Sequence, residues 1–395
     1  MKGNYVVIDM FCGAGGESTG IVQAVREQGM NISLTAINHW ERAIETHAAN
    51  HPYADHRCQS LENLDPAEVI PRGKVNLLWA SPECIHHSIA RGGRPRSNQS
   101  RASAWLILKW LQDLYVERVI IENVPEFVSW GPLDSRGQPI KSMKGETFKA
   151  FIIALRSLGY TVDYAVLTAA DYGDPTTRRR LFIQAVKGKK KILWPQITHA
   201  SETENLTGCK PWRPAREIID WSIQGASIFN RKKPLADATI RRIAVGIEKY
   251  WKDYAKPFLA ILYGTSTVKS IDEPLTTISC NPHHMLIEPF LLGQQSCAAP
   301  RPVSQPVPTV ATAGAISVIQ PLIMEYYGNG VTKPVCQPLG TVTTKDRFAL
   351  LESYGFDIRF RMLKNHELKK AQGFPENYKI TGNVTEQTKQ IGNAV

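Results

Sequence analysis

The sequence offers little of what marks secreted or membrane-spanning proteins. No run of about 18 apolar residues occurs anywhere in its 395 residues, so no membrane span is expected. The opening MKGNYVVIDMF is interrupted by Asp9 too soon for a secretory signal and reads as a first buried strand. The seven cysteines, Cys12, Cys58, Cys84, Cys209, Cys280, Cys297 and Cys336, are odd in number and include no CxxC pair. That argues against a disulfide framework or a structural zinc site, so no metal is expected and a reducing, cytoplasmic compartment is. His283 and His284 have no cysteine or carboxylate partners at ligand spacing. A phosphate-loop GKS or GKT is missing as well, and so is a basic tail.

What is present is a surplus of positive charge, +11 overall, which points to a polyanionic partner. Arg91, Arg94, Arg96 and Arg101 lie in a stretch without an acid, and Arg178, Arg179, Arg180, Lys187, Lys189, Lys190 and Lys191 form a second concentration. Charge runs usually mark a solvated face. Here both adjoin the segments that carry candidate chemistry, which favours nucleic acid.

The first 186 residues alternate strand and helix signals. Apolar, β-branched runs at 5–10, 33–38, 75–80, 118–123, 162–167 and 181–186 predict strands, with helices over about 17–28, 40–49 and 102–115. Phe148, Phe151, Ile152 and Leu155 share one face of a further helix. Such alternation predicts an α/β fold with a parallel-rich sheet covered on both faces. After Lys191 proline becomes frequent and helical periodicity fades. Pro274, Pro306 and Pro338 each open a Pro–apolar–x–Thr–β-branched string, 32 residues apart, predicting three related strand-turn units. Helical character returns from about Phe356.

Four segments could carry chemistry. Asp9-Met-Phe-Cys-Gly-Ala-Gly-Gly-Glu17 lies between the first strand and helix, where glycines let a backbone approach a cofactor. Ser81-Pro-Glu-Cys84 closes the third predicted strand, placing a possible thiolate nucleophile at the same sheet edge. Glu122-Asn-Val-Pro125 closes the fourth and supplies a carboxylic acid able to shuttle a proton. Arg178 and Arg180 alternate ahead of the strand at 181–186, both to one side if extended. Addition of cysteine to a pyrimidine needs this set: thiolate for ring carbon, acid for ring nitrogen, cations for exocyclic oxygen and phosphate.

Together, DMFCGAGG, SPEC, ENV, PTTRRR, PLGTVTTKDRFAL, RMLKNHELKKAQGFP and QIGNAV resemble the cytosine-5 DNA methyltransferase family, in the family's order along most of the chain. The resemblance implies a Rossmann-like class I methyltransferase sheet with an inserted small, mostly β or irregular target-recognition domain. It divides the chain into a catalytic domain over 1–194, a recognition domain over 195–345 and a returning segment over 346–395. It implies double-stranded DNA as partner, S-adenosylmethionine as cofactor, and a cytosine flipped from the duplex; a monomer is expected, since a single flipped base needs only one active site. Cys84 would add to carbon 6, Glu122 would protonate the ring nitrogen, Arg180 would orient the base, and Arg178 would polarise it or hold phosphate. Asp9, Phe11, Gly13, Gly15, Gly16, His39, Trp40, Ser60, Pro82 and Asn393 would line the cofactor site, with Trp40 stacked on adenine. Ser88, Arg91, Arg94, Arg96 and Arg101 would belong to a loop closing over DNA.

The chain departs from the family's pattern at four places. Glu83 stands where a proline usually precedes the nucleophile, and a neighbouring carboxylate raises a thiol's pKa. His39 aligns with the acid that binds the cofactor ribose, Ser60 with the aspartate that contacts the adenine amine, and Thr176 with a glutamine. The resemblance therefore leaves several readings: methyl transfer to DNA, transfer of a modified group from a related cofactor, a tRNA cytosine methyltransferase, and a DNA-binding homologue without catalysis. A restriction-modification role is one of several open biological settings.

Overall fold

A computed structural model of the protein describes residues 4–82, 98–135, 138–201, 207–223, 225–228, 231–235, 240, 243, 257–262, 268–280, 284–293, 301–302, 316–317, 322–325, 332–334, 348–351 and 356–394. The chain forms two compact units. The first holds residues 1–218, 274–282 and 364–395; the second holds 219–273 and 283–363.

The first unit is built on a seven-stranded sheet. Its elements in chain order are β1 (Asn4–Met10), α1 (Gly16–Glu27), β2 (Asn31–Ile37), α2 (Glu41–Asn50), β3 (Asp55–Arg57), the single-turn α3 (Pro66–Val69), β4 (Lys74–Ala80), α4 (Asn98–Asp113), β5 (Tyr115–Asn123), α5 (Glu146–Ser157), β6 (Tyr160–Thr168) and β7 (Arg179–Lys187). The strand order is β3-β2-β1-β4-β5-β7-β6. β1 pairs in parallel with both β2 and β4, whereas β7 runs antiparallel between β5 and β6. The chain thus winds outward from β1 in one direction, then returns to start β4 on its other side. In open α/β sheets the carboxyl ends of the strands at such a reversal, here β1 and β4, are where ligands bind.

Side-chain alternation along the strands explains the layers. Val7, Leu34 and Leu77 point to one face and pack with Ile21, Val22 and Val25 of α1. Their neighbours Ile8, Met10, Ile37, Leu78 and Ile121 point to the other and pack with Ile107, Trp110, Phe148, Phe151 and Leu155 from α4 and α5. Burial on both faces is why these strands read as unbroken apolar runs. The expected α/β class and parallel-rich sheet are found, and so are all six predicted strands. β3 escapes a pattern search because Asp-His-Arg has no apolar residue; its pairing with Thr35–Ile37 alone makes it a strand.

The second unit is antiparallel. Strands Phe258–Ile261, Val268–Ser270, His284–Gly293 and Phe356–Met362 form most of one sheet, with Phe258, Ala260, Met285, Ile287 and Ile358 in its core. Leu322–Glu325, Thr332–Pro334 and Phe348–Leu351 form a separate three-stranded sheet. Of the three proline-led strings, the one at Pro274 belongs to the first unit, while Pro306 and Pro338 lie outside the described residues. The segment from Lys364 returns to the first unit and carries helices Asn365–Ala371 and Val384–Asn393. Asn50 of α2 holds it by exchanging hydrogen bonds with both backbone groups of Lys379. Among the described residues no helix is long and apolar enough to cross a membrane.

Candidate active site at the carboxyl edge of the sheet

The loop between β1 and α1 is held in an unusual backbone shape. Phe11 has φ 60°, and Gly13 and Gly15 have φ 52° and 87°. A left-handed residue with a side chain costs about 1–2 kcal/mol, so Phe11 is held there by its surroundings. Cys12 donates from its amide to the Ile37 carbonyl at 3.2 Å, and Gly15 donates to the Cys12 carbonyl at 2.9 Å. Gly15 is required twice over: a Cβ there would lie 2.8 Å from both His47 Cδ2 and Tyr378 Oη. At Gly13 a Cβ would meet only the Phe11 carbonyl at 3.9 Å, so only its φ calls for glycine, and the space beside it is open.

Two carboxyls lie under this loop. Asp9 is fully buried; Oδ2 accepts from Ser18 Oγ at 2.6 Å, and Oδ1 has no hydrogen-bond partner among the described residues. Burial pushes the Asp9 carboxyl up to about 7, against the Ser18 hydrogen bond. Glu17 accepts from Ser81 Oγ at 3.1 Å; burial, and then the charge of Asp9, push it well above the usual carboxylate range. Ser81 follows directly on β4, so this bond ties the glycine loop to the segment leading towards Cys84.

A second cluster sits at the ends of β5 and β7. Glu122 is buried, and Arg180 Nε lies 2.8 Å from its Oε1. Burial raises the Glu122 carboxyl above its ordinary pKa, opposed by the Arg180 and Arg178 guanidiniums. The next residue, Asn123, donates from Nδ2 to the Pro82 carbonyl at 3.3 Å. Pro82 is itself buried and stands two residues before Cys84. Arg178 reaches elsewhere: its Nη1 donates to the carbonyls of Ile278 and Gly392 at 3.1 and 3.2 Å. It thereby joins β7's leading segment to the 274–282 strap and to the end of the C-terminal helix. Thr176 is buried against the same strap, bridging to Leu275.

The other candidate residues spread along this edge. Asn38 Oδ1 accepts from the Trp40 amide at 2.9 Å, and Lys389 Nζ stands 4.2 Å from the Trp40 ring centroid, a cation–π contact. His39 is exposed and Ser60 half-buried at the start of a single helical turn. Asn393 Oδ1 accepts from Cys280 Sγ at 2.7 Å, and Gly392 leaves no room for a Cβ against the Ser279 carbonyl. The loop thus brings together Asp9, Phe11, Gly13, Gly15 and Gly16, while Glu122 and Arg180 pair on the neighbouring strands. Cys84, Ser88, Arg91, Arg94 and Arg96 lie outside the described residues; Arg101 lies in α4, its side chain outside them.

Sequence reasoning missed the groups behind the loop. His47 of α2 meets Gly15 and Ser18, His51 just after α2 meets Thr19, His56 of β3 backs His47, and Tyr378 stands over Gly15, its Oη donating to the Ala14 carbonyl at 2.6 Å. His47 and His51 are spaced one helical turn apart, the only local signal of the group. Also missed was the Leu275–Cys280 strap, whose partners lie about a hundred residues away.

A seven-stranded sheet in this order, with one antiparallel strand and a glycine loop at its reversal point, is the sheet of Rossmann-like methyltransferases. The particular family follows from comparison with known proteins. A match to the C-5 cytosine-specific DNA methylase family spans residues 5–211 and 317–395, and the chain belongs to that family. Among individual proteins it is similar to the type II methyltransferase M.AgeI of Thalassovita gelatinovora, 29% identical over 201 residues, covering 49% of this chain and 42% of that protein. The type II methyltransferase M.SacI of Streptomyces achromogenes is 29% identical over 213 residues, covering 50% and 52%. The chain thus spans about half the length of the curated relatives it matches. Among solved structures, a DNMT2 from Spodoptera frugiperda shares the fold with a TM-score of 0.54 and 14% identity, over 99% of this chain and 96% of that one. The Entamoeba histolytica methyltransferase EhMeth shares it with a TM-score of 0.52 and 14% identity, over 100% and 94%.

Proposed function

We propose that the protein transfers a methyl group from S-adenosylmethionine to carbon 5 of a cytosine flipped out of double-stranded DNA, with Cys84 as nucleophile. The observation that carries this reading is the Glu122 cluster. A buried carboxyl, raised above its ordinary pKa and held at 2.8 Å by Arg180, stands beside Asn123, which grips the chain two residues before Cys84. Addition to a pyrimidine calls for a proton-holding carboxyl and a guanidinium beside the thiolate's target.

The glycine loop fits the cofactor. It leaves open space beside Gly13 and a buried carboxylate oxygen, Asp9 Oδ1, with no partner among the described residues. Asp9, Phe11, Gly13, Gly15 and Gly16 would hold it from the loop, with His39, Trp40, Ser60, Pro82 and Asn393 around it. S-adenosylmethionine supplies an electrophilic methyl group when bound. The protein's own residues prepare the base to receive it. The Cys84 thiolate adds to carbon 6, Glu122 gives its proton to the ring nitrogen, and carbon 5 becomes nucleophilic. Arg180 orients both Glu122 and the base, while Arg178 holds the strap and Asn393's neighbour in place. A base then removes the carbon 5 proton, Cys84 leaves as the thiolate, and the ring nitrogen returns its proton to Glu122. Ser88, Arg91, Arg94, Arg96 and Arg101 contact the DNA backbone, and the region 195–345 reads the target sequence, in a monomer.

Duplexes carrying 5-fluorocytosine test the reading, because fluorine cannot be lost as a proton and the adduct is trapped. With S-adenosylmethionine present, a denaturation-resistant protein–DNA band forms with wild type and not with Cys84→Ala. A band of equal strength in both would contradict the assignment.

A further inference from the structure

Behind the glycine loop runs a line of groups that the chemistry at Cys84 and Glu122 does not use. Ser18 Oγ lies 2.6 Å from Asp9 Oδ2 and 3.0 Å from His47 Nε2, and His47 Nδ1 lies 2.9 Å from His56 Nε2. Asp9, Ser18 and His47 are fully buried, whereas His56, on β3, is partly exposed. The line therefore joins a buried carboxyl to solvent through three elements.

Each bridging group gives one proton and takes one, so the line has two self-consistent settings. With Asp9 ionised, His56 Nε2 donates to His47 Nδ1, His47 Nε2 to Ser18, and Ser18 to Asp9. With Asp9 protonated every donor and acceptor is reversed. Passing between them moves one proton: His56 Nδ1 takes it from water, each N–H or O–H bond along the line breaks as the next forms, and Asp9 receives it. A neighbouring line lacks this freedom. Thr19 Oγ1 spends its proton on the Gly15 carbonyl at 2.7 Å, so His51 Nε2, 3.0 Å away, must donate to it and Tyr53 must donate to His51 Nδ1.

We propose that Asp9, Ser18, His47 and His56 form a proton route by which the charge of Asp9 follows the solution and responds to a ligand in the glycine loop. The ligand half of this statement rests on the cofactor reading above. His47 is then a positioning residue that both braces Gly15 and passes protons. Burial and the charges of His51 and His56 lower its pKa to about 3, which keeps it neutral and able to both give and take. The groups facing the route are Glu17 of α1 and Cys12 of the loop beside Asp9, and His51, just after α2, beside His47; Tyr378 of the C-terminal segment stands over Gly15, Arg26 acts on His51 and Asp55 on His56. A ligand donor placed at Asp9 Oδ1 favours the ionised setting, so below about pH 7 binding expels a proton and affinity rises up to about tenfold per pH unit.

The route is tested without ligand by pH jumps through 7, following the carboxyl band in infrared difference spectra that disappears in Asp9→Asn. Wild type is expected to exchange at least about tenfold faster than Ser18→Ala and His56→Asn, while His51→Asn keeps the wild-type rate. His56→Asn changes a partly exposed residue and keeps the variant set informative should Ser18→Ala fold poorly. Equal rates in wild type, Ser18→Ala and His56→Asn would overturn the route, as would an Asp9 band that does not titrate between pH 5 and 9. Added S-adenosylmethionine is expected to move the Asp9 titration to lower pH. Bound cofactor with an unmoved titration would overturn the ligand link. Failure of S-adenosylmethionine to bind in equilibrium dialysis would instead overturn the cofactor reading and leave the pH-jump result to stand by itself.

Discussion

The two halves of the sheet's carboxyl edge are built in different ways. Around β5 and β7, Glu122, Asn123 and Arg180 sit at the ends of adjacent paired strands and reach their partners directly. Around β1 and β2, the glycine loop is shaped by helix and C-terminal groups instead: His47 meets Gly15 and Ser18 with His56 behind it, and Tyr378 meets Gly15 and Ala14. The difference suggests a division of labour. The β5–β7 half pairs a buried carboxyl with a guanidinium, whereas the β1–β3 half holds a strained backbone over a buried carboxyl that is hydrogen-bonded to Ser18.

The comparison is sharpest where a change in one half leaves the other intact. Glu122→Gln should have the largest effect, lowering the methylation rate by about 10²–10⁴-fold, the usual worth of a general acid. S-adenosylmethionine affinity, measured by calorimetry, should stay within a few-fold of wild type. Gly15→Ala should do the reverse. Its φ of 87° and the contacts at 2.8 Å with His47 and Tyr378 predict a loss of about 2–4 kcal/mol in stability, together with loss of cofactor binding. Denaturant unfolding and the same calorimetry would check both.

Arg178→Lys probes the clamp from the β5–β7 half to the 274–282 strap and the C-terminal helix. An ammonium cannot reproduce the guanidinium's paired donation to the Ile278 and Gly392 carbonyls, so a loss of about 2–3 kcal/mol in unfolding free energy is expected. Loss of activity with unchanged stability would show that Arg178 acts on substrate instead. The smallest effect is expected for Lys389→Met. Losing its cation–π contact with Trp40 removes about 0.5–1 kcal/mol, a two- to fivefold change in cofactor affinity read by calorimetry.

The same contrast explains what the sequence discloses. The strands were legible because both faces of the sheet are buried and the runs are apolar. The motifs at Asp9–Glu17, Glu122 and Arg178–Arg180 were legible because their residues are close in sequence. The histidine line was not, since Ser18, His47 and His56 come from three elements and no periodicity links them. Nor was the tie from Arg178 to Ile278 and Gly392, which depends on a fold that brings residues 100 and 214 positions apart together. The proline-led string at Pro274 could not disclose its partner either, since Leu275 pairs with Thr176 about a hundred residues earlier.

The central claim is tested most directly by incubating cytosine-containing duplex DNA with the protein and S-adenosylmethionine bearing an isotopically labelled methyl group, then analysing nucleosides by mass spectrometry. The account predicts labelled 5-methylcytosine with wild type, sharply less with Glu122→Gln and none with Cys84→Ala. A wild-type protein that binds the cofactor and the DNA yet leaves every cytosine unlabelled, or a Cys84→Ala variant as active as wild type, would contradict it.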